Sequence, residues 1–457
     1  MSFGNTSTPF AEPAWYTKPT SSPYYSEKHV KLRAFMRQHI ERLMPNAAEW
    51  EQLGQVPEAL ATERAKAGLT AASIYPLPDA QDLDGIQLPA GLERSEWDPF
   101  CDLIMSDEGA RLGYLGVTWA LEGGNAIGAP PLVAYGTTEQ RQKFLRPILR
   151  GEKRICLGVT EASGGSDVAA IKTAATRVAG GWRVTGSKKV RPNSVSCTYC
   201  SSTETPWITN AVFSDYMMTA VRTGDAGNKG LSFMIIDLYA DGVTTRSIEN
   251  TGVKASGSSY VELDEVFVPD FNLIGKDGDG FRMVMVNFLH VKFLTERFLL
   301  AVQANRMSRV CLEDAYEYAT KRHTFGKPLI SSPILRAKIS DMALIITANH
   351  SWIEALAFQL SVLPKVVADI ELAGQAALLK VSCTRGLERC NREALQILGG
   401  IGYQRGGIGG RVEQISRDLR VMCIGGGSDE IMSSLGLRQA EAVISKNDQK
   451  LSFKAKL

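Results

Sequence analysis

Hydrophobic periodicity changes twice along this chain, and the order of those changes constrains the fold more than any other feature. From Lys28 to Arg150 apolar residues recur at spacings of three and four, as in Leu32, Phe35, Met36, His39 and Ile40, the spacing of one face of an α-helix. Gly and Pro clusters around Gly85–Pro89 and Gly128–Pro131 punctuate this stretch. After Gly151 the period falls to two. Thr173–Val178, then Gly180-Gly181, then Trp182–Thr185 read as a hairpin around a two-residue turn. Further strand-like runs follow at Tyr216–Thr223, Leu231–Asp237 and Tyr260–Val268. From Phe281 helical spacing returns through Arg306, Cys311–Lys321, Pro333–Leu360 and Val366–Leu398. Helix, sheet, then a closing helix bundle predicts an α+β chain. The expected boundaries are an arm at 1–26, a helical domain at 27–154, a β domain at 155–272, a helical bundle at 273–445 and a tail at 446–457.

Composition narrows the function. The 51 basic residues nearly balance the 49 acidic ones, so no long-range field marks a nucleic-acid partner, and a small-molecule substrate is the expectation. No run is apolar for long enough to span a bilayer. Cysteines such as Cys156 and Cys311 sit in apolar segments, as in a reducing compartment. Cys197 and Cys200 form a lone CxxC without the second pair or His cluster that a zinc site needs, so no metal is expected. The chain finishes Ala455-Lys456-Leu457, a close variant of the Ser-Lys-Leu peroxisomal address; without it the cytoplasm is the default.

The most specific segment is Leu157-Gly-Val-Thr-Glu-Ala-Ser-Gly-Gly-Ser-Asp-Val168, in which small residues let backbone approach a ligand and hydroxyl and N–H groups serve as donors. It resembles the Val-Thr-Glu-Pro-x-x-Gly-Ser-Asp signature of the acyl-CoA dehydrogenase superfamily. Four further matches occur in that family's order: Trp207-Ile-Thr-Asn210, Lys321-Arg-His-Thr-Phe-Gly-Lys327, Gln396-Ile-Leu-Gly-Gly-Ile-Gly402, and Arg417-Asp418 followed by Gly425-Gly-Gly-Ser-Asp-Glu-Ile431. The resemblance extends over residues 27–445 and implies an N-terminal helical domain, a middle β domain, a C-terminal four-helix bundle and bound FAD. It further implies a homotetramer or homodimer with FAD near subunit interfaces.

Carried over by matching position, Val159 and Thr160 would bond the flavin ring, Gly165 and Ser166 would border flavin and substrate, and Trp207 with Thr209 would line the isoalloxazine. Arg322 and Phe325 would reach the cofactor from a neighbouring subunit, Gln396, Gly399 and Gly400 would meet its phosphates, and Ser428 and Glu430 would lie toward the adenosine. Trp207 and Phe325 have a plainer reading as core aromatics, and Arg322 as a solvated helix residue.

The resemblance also implies a carboxylate base. In one branch it directly precedes Gly-Thr in the last motif, where this chain has Gly426. In another, resembling isovaleryl-CoA and long-chain dehydrogenases, it lies on the first helix of the bundle. Here that helix reads Phe293-Leu-Thr-Glu296-Arg297-Phe, with Glu296 in an apolar stretch. A lone acid there costs desolvation unless it has a role or a partner. The alternative is an ion pair with Arg297 or Arg306. The carboxylate missing at 426 and present at 296 favours Glu296 as the base, with Arg297 on the substrate side. The expected reaction is α,β-dehydrogenation of an acyl-CoA, with either an electron-transfer flavoprotein or oxygen as acceptor.

Two departures bear on the substrate. Leu294 stands where the family commonly has an Asp that helps hold CoA, which leaves open a non-CoA acidic C–H substrate such as a nitroalkane. Val190–Pro206 interrupts the usual run from a Gly-x-Lys strand into Trp-Ile-Thr-Asn. It reads as a substrate-side loop, or alternatively as an unspliced intron in the gene. An inactive flavin-binding paralogue is the remaining class, and the intact Glu296 argues against it.

Overall fold

The computed structural model describes residues 8–17, 22–161, 164, 167–188, 207–285 and 292–454. Helices α1 (Glu27–Leu53), α2 (Pro99–Ala110) and α3 (Leu115–Gly128) precede the sheet. Eight strands follow: β1 (Ile155–Gly158), β2 (Ala174–Val178), β3 (Gly181–Lys188), β4 (Tyr216–Arg222), β5 (Leu231–Asp237), β6 (Val243–Ser247), β7 (Ser259–Pro269) and β8 (Leu273–Ile274). Helices α4 (Lys292–Lys321), α5 (Pro333–Val362), α6 (Ala373–Leu398), α7 (Gly410–Ile424) and α8 (Asp429–Lys454) close the chain. The helical, β, helical order expected from periodicity is the observed one.

By contacts the described residues group into two compact units. One draws on Met1–Ala48, Ser95–Leu115 and Leu289–Leu457, the other on Glu49–Arg94 and Gly116–Phe288.

The first unit is helical. Its core follows from spacing: α6 buries Ala376, Leu379, Lys380, Cys383, Leu387, Cys390 and Ala394, steps of three and four that put one stripe inward. Helix α4 is buried on several sides and takes polar side chains with it, among them Arg297, Gln303, Asn305, Arg306 and Arg309. Helix α2 starts where Asp98 accepts the amide hydrogens of Phe100 at 2.9 Å and Cys101 at 3.1 Å, with Pro99 in the first turn.

The N-terminal arm is part of this unit. Residues Ala14–Thr17 form a helical turn where Pro-rich sequence suggests extended chain. Glu12 is buried among Arg33 at 2.8 Å, Arg37 at 2.7 Å and Arg306 at 3.0 Å. Arg306 also meets Asp107, and Arg37 meets Glu108 at 2.6 Å. Arg309 donates to the carbonyl of Phe10 at 2.7 Å, and the Arg33 guanidinium lies 4.1 Å from the Tyr16 ring centroid.

The second unit holds the sheet, in the order β6-β7-β3-β2-β4-β5-β8, with β1 pairing parallel to β4. The hairpin at 174–188 pairs Val178 with Gly181, so the turn residues are Ala179 and Gly180, one position earlier than the glycine pair suggests. Gly180 has φ of 76°, a conformation that suits glycine. Trp182, Val184, Met217, Val221, Met234, Ile236, Val261, Leu263, Val266 and Val268 form the apolar core of this unit.

Candidate functional site

Glu296 lies one turn inside α4 and is partly accessible. Burial raises its carboxyl pKa to about 7, against the opposing pull of Arg297 and Lys380. The two cations therefore lessen the desolvation effect without reversing it. Arg306, an ion-pair candidate for Glu296 on sequence alone, is committed to Glu12 and Asp107. Arg297 is buried, with its pKa lowered to about 10 by that burial, and its Nε donates to the carbonyl of Gly426 at 3.3 Å.

The glycine turn before α8 faces this carboxylate. A Cβ at Gly426 would lie 3.8 Å from Glu296 Oε1 and 2.6 Å from Leu300 Cδ1, and Gly426 has φ of 65°. A larger residue at 426 would meet both strain and Leu300. The last turn-pinning group is Lys380 on α6, which sequence reading passed over. Its Nζ donates to the carbonyl of Gly427 at 3.0 Å and to Asp429 Oδ1 at 3.1 Å. A single lysine within the apolar run Ala376–Val381 was the available signal.

Most other predicted residues of this unit are solvent-facing, and Ser428 is half-buried. Arg322 ends α4's extension into a small hairpin, His323–Thr324 with Lys327–Pro328, whose turn residue Phe325 is fully exposed at φ of 50°. Gln396, Gly399 and Gly400 are exposed where α6 ends, and nothing lies within 4 Å of a Cβ built at either glycine. Ser428 and Glu430 open α8; Ser428 Oγ accepts the Ile431 amide hydrogen at 3.4 Å, and a hydrogen bond with its own backbone lowers the Glu430 carboxyl pKa. Phe325 is thus presented outward rather than used as core.

In the second unit Val159 is buried just past β1, and Thr160 is half-buried. The turn after them is held by Glu161, whose carboxylate accepts from the amides of Lys172 at 2.7 Å and Thr173 at 3.0 Å. Gly165, Ser166 and the 190–206 segment lie outside the described residues. Ile208 exchanges backbone hydrogen bonds with Ser259 at 3.2 and 3.0 Å. Asn210, buried at φ of 65°, donates from its amide to the Ser256 carbonyl at 2.7 Å. These contacts fix the chain on which Thr209 is half-buried and Trp207 is 50% exposed.

In the second unit Thr160 and Thr209 offer hydroxyls; in the first unit Ser428 offers a hydroxyl, Arg322 and Gln396 an exposed guanidinium and amide, and Gly399 and Gly400 open backbone, each a kind of group that can bond a flavin dinucleotide. Residues 26–152 match the acyl-CoA dehydrogenase N-terminal domain, and residues 278–440 the acyl-CoA dehydrogenase C-terminal domain. An acyl-CoA dehydrogenase of Alternaria alternata is 41% identical over 96% of this chain and 97% of its own length.

The chain belongs to the acyl-CoA dehydrogenase family. Another relative, an acyl-CoA dehydrogenase of Emericella nidulans, is 38% identical over 97% of this chain and 98% of its own length. The crystal structure of a probable acyl-CoA dehydrogenase from Mycobacterium abscessus superposes with a TM-score of 0.77 at 28% identity, covering 91% of this chain and all of that one. As a member of the acyl-CoA dehydrogenase family the protein is an FAD-dependent oxidoreductase acting on CH–CH bonds of acyl-CoA.

Proposed function

We propose that Glu296 removes the α-proton of an acyl-CoA thioester in its α,β-dehydrogenation to the 2-enoyl product. The observation that carries this reading is the carboxylate of Glu296 facing a glycine at 426, with burial raising its pKa to about 7. A base poised near neutrality is matched to a proton whose acidity is raised by the adjacent carbonyl. FAD, when bound, supplies the acceptor for the β-hydride. Arg297 keeps its positive charge beside the carboxylate and favours the ionised, proton-accepting form.

Val159, Thr160, Gly165, Ser166, Trp207 and Thr209 would hold the flavin ring, and Arg322, Phe325, Gln396, Gly399, Gly400, Ser428 and Glu430 the remainder of FAD. Solvent-facing Phe325 and the glycine pair at 399–400 suit contact with a cofactor shared with a second copy of the chain. The substrate's chain length is tested with a panel of saturated acyl-CoA esters under anaerobic conditions. The wild-type flavin should bleach with at least one ester, whereas Glu296→Gln should retain flavin and bleach at least a hundredfold more slowly, about the contribution of one general base. A Glu296→Gln enzyme that bleaches at the wild-type rate would remove Glu296 from the reaction. Repeating the assay in air separates the acceptors: peroxide equal to the enoyl product identifies oxygen, and its absence points to an electron-transfer flavoprotein.

A further inference from the structure

The turn at Gly425–Gly427 is held by cations from two helices. Arg297 of α4 donates to the carbonyl of Gly426 at 3.3 Å, and Lys380 of α6 donates to that of Gly427 at 3.0 Å. Lys380 has no exposed surface. Removing an ammonium from water is costly unless its hydrogens are satisfied, so a lysine in this position needs a compensating arrangement. Asp429 supplies it: Oδ1 accepts from Lys380 at 3.1 Å and from Thr384 Oγ1 at 3.0 Å. The carboxylate that neutralises Lys380 is thereby itself fixed at the start of α8, two residues beyond the carbonyl that Lys380 holds.

This clamp holds the residue next to Gly426, where a Cβ would be 3.8 Å from the Glu296 carboxylate. We propose that Lys380 is a positioning residue for Glu296: its ammonium ties the Gly425–Gly427 turn, which faces Glu296, to α6 and adds a positive charge that favours the ionised carboxylate. The proposal rests on Glu296 being the base. Among the described residues, the charged groups acting on Glu296 are Arg297 on its own helix and Lys380 on α6. Asp429 on α8 and the Cys423 thiol on α7 face Lys380 in turn, and Arg385 on α6 lies 3.8 Å from Asp429. Lys380 joins the turn to α6 and adds to the field at Glu296, as Arg297 does from α4.

Two variants separate shape from charge in the flavin-loaded full chain. Lys380→Met removes both the hydrogen bonds and the charge. Lys380→Gln keeps an N–H donor for Gly427 and Asp429, and is the variant to read if Lys380→Met loses flavin. The first readout needs no substrate: the infrared band of the protonated Glu296 carboxyl, isolated as the difference from Glu296→Gln, is followed across pH. Its midpoint should rise by about one unit in both variants, the size of effect expected when a nearby opposite charge is lost. The second readout is kcat/KM for the best acyl-CoA of the panel. At a pH below that midpoint it should fall about tenfold, and should recover toward the wild-type value at high pH in Lys380→Gln. A merely structural role would lower the thermal midpoint and the activity at every pH without moving the carboxyl titration. That result would overturn the proposal while leaving the base assignment intact. Full activity of Glu296→Gln would instead overturn the base assignment, whatever the Lys380 variants do.

Discussion

At Glu296 desolvation outweighs two neighbouring cations, so the residue is neutral in mildly acid solution and ionised in mildly basic solution. As the proposed base, Glu296 would act in its ionised form, so kcat/KM should rise with pH and level off above about 7. A limb with a midpoint in the ordinary glutamate range would contradict the buried-base account. The stability effect has the opposite sign to the activity effect. A carboxyl pKa raised by folding means that the fold favours the neutral form, so this residue's contribution is complete below the unfolded-state glutamate pKa and is lost as pH rises through about 7. Glu296 stands out in sequence as a lone acid in an apolar helix, and the structure adds that Gly426 faces its carboxylate. Lys380 offered the same kind of signal in Ala376–Val381, but its partners Gly427 and Asp429 lie 47 and 49 residues further on. Spacing along one helix carries no information about such a contact.

Among the elements, those with a long, regular period were the ones periodicity located. The hairpin at 174–188, strand β5 and the long helices of the bundle were all visible, because each buries one face and repeats that choice several times. Three strands left little trace. β8 has two residues, β1 has four and ends in glycine, and β6 is mostly exposed, so none shows a sustained alternation. The arm was misleading for a different reason: its prolines and aromatics suggest extended chain, whereas its anchor is the charge of Glu12 among arginines distant in sequence. Replacing Glu12 by Gln leaves Arg33, Arg37 and Arg306 short of a buried counter-charge and should cost about 3–5 kcal/mol of stability. Urea denaturation of the flavin-loaded protein measures this, and a loss below about 1 kcal/mol would show that the arm contributes little. The arginines hold the Glu12 carboxyl pKa well below its usual range. Its contribution is therefore present above the unfolded-state pKa and is lost as pH falls toward the folded one. Glu12→Gln should accordingly flatten the acid side of the stability profile.

For the whole molecule the five ordered motifs carried the family, and the architecture followed from it. The assembly is a proposal with its own support: Phe325 is fully exposed, and Ile334, Leu344 and Val362 on α5 with Leu437 and Ile444 on α8 place large apolar side chains in solvent. A homotetramer or homodimer would cover them. Light scattering should give a multiple of the chain mass, and a monomeric mass with full flavin content would reject that reading. The peroxisomal reading rests on Ala455-Lys456-Leu457 alone. Deleting those residues from a fluorescent fusion should disperse its puncta, and persistent puncta would place the address elsewhere. Proton removal from the substrate's α-carbon by one carboxylate, Glu296, is the proposed step. Its most direct test is hydrogen exchange at the substrate α-carbon in deuterium oxide, followed by mass spectrometry of the recovered acyl-CoA under anaerobic conditions. Wild-type protein should introduce deuterium at that carbon and Glu296→Gln, with its flavin retained, should not; equal exchange by both would contradict the account.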